Sequence, residues 1–300
     1  MEPWILITVG AAGAQTLRFM LQKHLKATQL STAGATFARF IYSAPLVAVI
    51  AVLYATATAQ GAPLVPAEFW PYMLAGGISQ ILATMCVVAL FMHRNFAVGI
   101  TFKKTEVLLS AFFGFLILGD TFTGWAIFAM CVGLAGVLLL SDPPGGTGPW
   151  HQRIFNRATA LGITAGVLFG VSGNGYRGAS LSLGDGDVFY RAIMTLAFVT
   201  AFQTLSMALY LVWRERGQIT TVLRAWRIAG LVGITSMIGS ICWFTAFTMQ
   251  NAAYVNAVGQ VELVFSLMIG AFVFGERVTL REWQGLILLT ASIVILVLVT

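Results

Sequence analysis

Charge is scarce in this chain of 300 residues. Asp, Glu, Lys and Arg make up 9% of it and hydrophobic residues 58%, whereas soluble domains carry about a quarter charged residues. That scarcity excludes the ordinary water-soluble fold. The chain has only three cysteines, Cys86, Cys131 and Cys242, each isolated inside an apolar stretch. Neither a disulfide framework nor a CxxC zinc site follows from such spacing, and the three read as small packing residues. The three histidines, His24, His93 and His151, fall in connections with no pair at metal-ligand spacing. No Gly-rich phosphate loop follows a strand and no Ser/His/Asp set emerges, so no enzyme site, metal or cofactor is expected. No basic segment precedes the first apolar run, which therefore reads as a membrane helix and not a cleaved signal. Basic residues outnumber acidic ones, 17 to 11, but they form no continuous patch, so nucleic acid is not an expected partner.

What remains is apolar runs of about 20 residues, each able to cross a hydrocarbon core roughly 30 Å thick. Ten spans are expected, near 3–22, 34–58, 68–91, 96–118, 122–141, 157–178, 187–212, 226–249, 253–274 and 281–299. The punctuation agrees. Gly61-Ala-Pro63 and Pro66 part the second span from the third, Pro143-Pro-Gly-Gly-Thr-Gly-Pro149 parts the halves, and Gly184-Asp-Gly-Asp187 turns the sixth into the seventh.

The chain also repeats itself. At an offset of 156, Trp70, Gly77, Phe91 and Asn95 return as Trp226, Gly233, Phe247 and Asn251. Glu106, Ser110, Gly114, Gly119 and Thr123 return as Glu262, Ser266, Gly270, Gly275 and Thr279, and Asp120 returns as Glu276. Nearer the N-terminus the offset is 152, taking Gly10, Gly34, Phe37 and Arg39 to Gly162, Gly186, Phe189 and Arg191. The expected organisation is a first five-helix repeat over 1–142, a linker over 143–156 and a second repeat over 157–300. Five spans per repeat is an odd number, so the second repeat enters the membrane inverted. The result is an all-α membrane protein, ten transmembrane helices in two inverted five-helix repeats around a central cavity. Such architecture suggests a transporter with its site where the halves meet. Connections after the odd-numbered spans hold Lys23, Lys26, Arg94, Arg153, Arg157, Arg214, Arg216, Arg224, Arg227, Arg277 and Arg281, against Arg177 alone on the other side. The positive-inside rule makes the first set cytoplasmic and both termini external.

The turn Leu118-Gly119-Asp120-Thr121-Phe122-Thr123 and its echo Phe274-Gly275-Glu276-Arg277-Val278-Thr279 close the fourth helix of each repeat. With the repeat itself, these residues resemble the EamA-type drug/metabolite transporter superfamily over nearly the whole chain, and among its members the bacterial exporters of aromatic and other amino acids. The resemblance implies a secondary transporter in the bacterial inner membrane, exporting amino acids or similar small zwitterionic metabolites by alternating access. Two departures stand out. Relatives often carry a proline near Glu106, where this chain has Lys103-Lys104-Thr105, and many are thought to keep both termini in the cytoplasm.

Charges at membrane depth cost a few kcal/mol each unless they find a partner or a water-filled cavity. Glu106 and Glu262 are the deepest, and they are related by the repeat. They read either as carboxylates facing a cavity, for a substrate amine or a coupling proton, or as ion-paired helix pins. Lys103 is three residues before Glu106, and its neighbour Lys104 points about 100° away on a helix. Lys103 is therefore expected to neutralise Glu106, and Lys104 to face the cavity. Arg39 and Arg191, near helix starts, read as snorkelling anchors. Thr8, Gln15, Arg18 and Gln22 form a polar stripe on the first span. Gln80 with Thr84, and Asn256 with Gln260, share helix faces in the third and ninth. In the sixth, Gly162, Gly166 and Gly170 read as a close-packing seam, and Gly173-Asn174-Gly175 as a looser end that bares backbone to a ligand. Relatives often have an aromatic where Phe169 falls, and Phe169, Trp243 and Phe244 are candidates to stack on a substrate. Trp4, Trp70, Trp125, Trp150, Trp226 and Trp283, at span ends, read as interface anchors. The expected substrate-binding or cavity set is Gln15, Gln80, Thr84, Lys104, Glu106, Phe169, Asn174, Trp243, Asn256, Gln260 and Glu262. The expected partners are a small-molecule substrate and the lipid bilayer, with the chain a monomer. The alternatives are a proton-coupled carrier of another metabolite or a cationic drug, a non-transporting scaffold, and an intramembrane enzyme.

Overall fold

A computed structural model of the protein describes residues 2–27, 30–90, 103–140, 157–184, 186–265, 268 and 280–299. Long apolar runs in lipid satisfy their backbone groups internally, and here they do so as helices. In chain order these are α1 (Pro3–Ala27), α2 (Thr32–Ala57), α3 (Phe69–Leu90), α4 (Glu106–Leu118), α5 (Gly124–Leu140) and α6 (Arg157–Ser182), then α7 (Val188–Arg214), the short α8 (Gln218–Arg224), α9 (Trp226–Met249), α10 (Ala252–Gly259) and α11 (Leu280–Val299). No strand is present among the described residues. Helices α1, α2, α3, α7 and α9 are each long and apolar enough to cross a membrane, and α4, α5 and α11 are shorter apolar helices. Helix α6 runs for 26 residues, but its Gly, Ser and Asn content keeps it out of the first group. The linker 143–156, His93, Arg94, His151, Trp150, Ser266 and the Glu276 turn lie outside the described residues.

Contacts between helices come in matched pairs under the sequence correspondence. Helix α3 packs along α6 and its counterpart α9 along α1; α4 lies on α6 and α10 on α1; α2 meets α7, and α5 meets α11. One hydrophobic core runs through both halves, from Trp4, Val47 and Phe69 to Tyr176, Val199, Phe244 and Leu296. Close approach of α3 and α6 depends on glycine. A Cβ at Gly175 would lie 2.9 Å from Gly76 Cα and from the Tyr72 carbonyl. The Gly173-Asn174-Gly175 segment is accordingly part of an unbroken helix, not a loosened end. Trp4 also departs from expectation. It is 2% exposed, buried in the core with its indole N–H donating to Glu2, whereas Trp70, Trp125, Trp226 and Trp283 are exposed near helix ends.

The end of α2 is tied to the start of α7 through Asp187, the α7 N-cap. Its carboxylate accepts from the Tyr190 N–H at 3.0 Å, Gln60 Nε2 at 2.6 Å and the Tyr54 hydroxyl at 3.1 Å. Burial pushes the Asp187 carboxyl up, but these donors outweigh it and hold the group below the usual carboxylate range. A depressed folded-state pKa contributes stability that is fully present above the unfolded value of about 3.9 and is lost as pH falls through the folded value. Asp187→Ala is expected to cost about 1 kcal/mol, the usual worth of an N-cap. In detergent the thermal midpoint should drop by a few degrees at neutral pH, and the gap from the unaltered protein should close as pH falls below about 4. An unchanged midpoint at pH 7 would contradict the capping role.

Candidate functional site

Two helical segments related by the sequence repeat are broken at the same place. In the first half the helix is interrupted at Lys104 and Thr105 and resumes at Glu106; in the second, α10 ends at Gly259, Gln260 and Val261 form a turn, and helix resumes at Glu262. The repeat offset maps one break onto the other. Each glutamate thus begins a half-helix, where the exposed N–H groups and the dipole favour negative charge. Gly166 lets α6 pass directly over the first break, since a Cβ there would lie 3.0 Å from the Lys103 carbonyl and from Thr105 Oγ1. Discontinuous helices of this kind are where membrane carriers commonly bind substrates and ions.

The buried charges converge at these breaks. Lys103 Nζ donates to Glu106 Oε1 at 3.1 Å. Lys104 points the other way and forms an ion pair with Glu262 of the opposite half. Gln15 Nε2 donates to Glu262 at 2.6 Å, and Arg18 donates to Gln15 at 3.3 Å and to Gln22 at 3.0 Å. Arg39 is 5% exposed. Its guanidinium reaches Thr84 Oγ1 at 3.1 Å and Ser240 Oγ at 3.5 Å, both neutral. No acid pairs with Arg39 among the described residues.

A narrow cavity lies between these groups. Gln15, Arg39, Gln80, Lys103, Glu106, Ser172, Ser240 and Asn256 give it polar walls, and Phe169, Tyr176, Trp243, Phe244 and Phe247 give it aromatic ones, with Gly173 between. The aromatics are mutually braced: Tyr176 stacks on Phe244 with ring centroids 4.2 Å apart, and Trp243 on Phe247 at 5.6 Å. Lys103 lies 4.9 Å from the centre of the Phe169 ring, within cation–π range. Gln80 accepts from the Tyr176 hydroxyl at 2.7 Å and from Gln203 at 3.1 Å, and Asn256 donates to Ser110 at 2.7 Å. The Trp243 indole N–H is buried and has no acceptor among the described residues. The volume is about 50 Å³, room for a few waters but well below the several hundred Å³ of a typical ligand site. A molecule of that size would enter only if the helices moved apart.

Of the eleven residues expected at the cavity, the structure brings six to its wall: Gln15, Gln80, Glu106, Phe169, Trp243 and Asn256. Thr84 is fully buried and reaches the cavity only through Arg39. Asn174 is buried against α4, donating to the Ser110 and Gly170 carbonyls at 2.9 Å. Lys104 and Gln260 line a separate, smaller void toward α5 and α11. The two lysines divide their directions as the 100° step requires, but Lys103 faces the cavity and Lys104 does not, because Glu262 draws Lys104 across to the other half. Glu262 touches the site through Gln15. From the first-span stripe, only Gln15 lines the wall. Arg39, read as an anchor, lies well inside α2, which begins at Thr32. A charge that far into an apolar helix was the available signal. Ser172, Ser240 and Tyr176 carried none of comparable strength.

No curated protein matches the chain. A protein of known crystal structure superposes with a TM-score of 0.67 over 97% of this chain and 99% of its own, at 14% identity, so the fold is shared from end to end. Residues 157–298 match the sequence model of the EamA-like transporter family. Over its second half, the chain is therefore similar to EamA-like transporters.

Proposed function

We propose that the chain is a secondary transporter that moves amino acids, or similar small metabolites bearing a carboxylate, across the inner membrane by alternating access. One observation carries the substrate reading. Arg39 is a buried cation on the cavity wall with only hydroxyl partners among the described residues, and a buried charge without a counter-ion is costly. A substrate carboxylate supplies that counter-ion, and the Trp243 N–H, on a residue of the same cavity wall and without an acceptor among the described residues, is a further donor for an anion. The Glu106 carboxylate and the aromatic faces suit the ammonium and the side chain. A carrier of cationic drugs fits less well, since the cavity's carboxylate is already engaged by Lys103. The matched helix contacts and the two breaks support ten spans in two inverted repeats, with the site enclosed by one chain acting as a monomer. Export as the direction rests on the family resemblance, and external termini on the Lys/Arg bias.

The test is counterflow in proteoliposomes preloaded with an amino-acid mixture. Time-dependent accumulation of labelled amino acids is the expected result. No accumulation by the unaltered protein overturns the amino-acid reading.

A further inference from the structure

Beyond the cavity, the turn that closes α4 builds a second polar site. Gly119 adopts the left-handed conformation (φ 69°), with its N–H bonded to the Phe115 carbonyl and that of Asp120 to the Gly114 carbonyl. This capping geometry folds the Asp120 side chain back over the last turns of the helix. Asp120 Oδ2 lies 3.0 Å from where a Gly114 Cβ would be, and so does Asn174 Oδ1 from α6. Only glycine at 114 leaves that gap. The orientation of the Asn174 amide is fixed, because its Nδ2 donates to two carbonyls, those of Ser110 and Gly170. Its oxygen is therefore the atom that points into the gap at Gly114, which Asp120 Oδ2 also borders. Both oxygens are buried, and neither receives a hydrogen bond among the described residues.

One turn further along α6, Arg177 Nε stands 3.9 Å from Asp120 Oδ2 without a hydrogen bond, while Nη1 donates to the Phe247 carbonyl at 2.9 Å. The Phe247 ring is part of the cavity wall. Among the described residues, Tyr254 of α10 also senses the charge of Asp120. Two buried acceptors facing one gap lack a single thing, a hydrogen between them.

We propose that Asp120 and Asn174 form a proton-binding site in which the protonated carboxyl of Asp120 donates to Asn174 Oδ1, and that Arg177 transmits the charge of Asp120 to the cavity wall through Phe247. One proton moves from solution to Asp120, and no covalent bond is made or broken between heavy atoms. Protonation removes the anion that holds Arg177, and with it the hold on the Phe247 carbonyl. Burial pushes the Asp120 carboxyl above the usual carboxylate range while the Arg177 guanidinium draws it back. The midplane glutamates suit this task less well. Protonating Glu106 or Glu262 would strip Lys103 or Lys104 of the counter-ion it holds at membrane depth. The link to transport rests on the carrier reading above; the proton site itself does not.

The first readout needs no substrate. Infrared difference spectra of the full-length protein, taken between acid and neutral pH, should contain a protonated carboxylic C=O band. That band should be absent from Asp120→Asn and shifted in frequency in Asn174→Leu. The second readout is uptake of labelled amino-acid mixture driven by a pH gradient, divided by counterflow of the same mixture. Asp120→Asn should lower this ratio at least tenfold. Asp120→Glu keeps a titratable group and should retain a shifted band, which guards against a variant that merely misfolds. The proposal is overturned if the band persists in Asp120→Asn, if the ratio is unchanged, or if a sodium gradient drives uptake in place of a proton gradient. Absence of all counterflow in the unaltered protein would defeat the carrier reading, and the infrared band would still decide the site.

Discussion

Arg39→Gln is expected to reduce amino-acid counterflow about 30-fold or more. Glutamine keeps hydrogen-bonding capacity toward Thr84 and Ser240, so the change removes chiefly the charge. Truncating one partner of a desolvated charge pair typically costs about 2–5 kcal/mol, and each 1.4 kcal/mol is a factor of ten. Arg39 is 5% exposed, so solvent cannot screen the loss away. Arg39→Lys should fall between the two proteins, since a lysine restores the charge but not the planar fork that matches a carboxylate. Counterflow is the readout, with thermal melting as a check on folding. Full uptake by a folded Arg39→Gln protein would remove Arg39 from recognition.

The second large effect is on stability. Lys104→Met should destabilise the protein by about 3–5 kcal/mol, the range seen when one member of a buried ion pair is removed and the other is left charged. Lys104 is 2% exposed and Glu262 7%, and their pair joins the two halves at the breaks in their fourth segments. Methionine fills much of the same volume, so the loss is electrostatic rather than a cavity. Adding Glu262→Gln should recover a large part of it, because the stranded carboxylate disappears. Equilibrium unfolding in mixed micelles compares the three proteins. A single variant within about 1 kcal/mol of the parent would mean that the pair carries little of the stability.

Much of this could be read from residues alone, and the failures have identifiable causes. Helices followed from apolar runs that cannot otherwise satisfy their backbone in lipid. Glu106 and Glu262 stood out because two charges at equivalent depths need a shared reason. The directions of Lys103 and Lys104 did not follow, because the acid that decides them comes from the other half of the chain. The breaks at Lys104–Thr105 and Gln260–Val261 were hidden for a related reason. Apart from Gly259, neither site carries a helix breaker, and at the first break α6 passes directly over the interruption at Gly166. Arg39 was misjudged because the partners that hold it inside, Thr84 and Ser240, come from α3 and α9. Trp4 was judged by its place in the chain, which says nothing of the core that closes over it. The Asp120–Asn174 pair is the clearest case of information absent from sequence. The Gly119-Asp120 turn is visible as a motif, but its partner lies 54 positions away, in a Gly173-Asn174-Gly175 segment that reads as a looser helix end facing a ligand.

The most direct measurement is competition against counterflow of labelled phenylalanine, or of labelled amino-acid mixture should phenylalanine alone not be carried. Unlabelled phenylalanine, 3-phenylpropionate and phenethylamine present the same aromatic body with both charged groups, the carboxylate alone and the ammonium alone. A cavity organised around Arg39 predicts that phenylalanine and 3-phenylpropionate compete and that phenethylamine does not. Competition by phenethylamine with none from 3-phenylpropionate would contradict it, and would identify Glu106 rather than Arg39 as the group that selects the substrate.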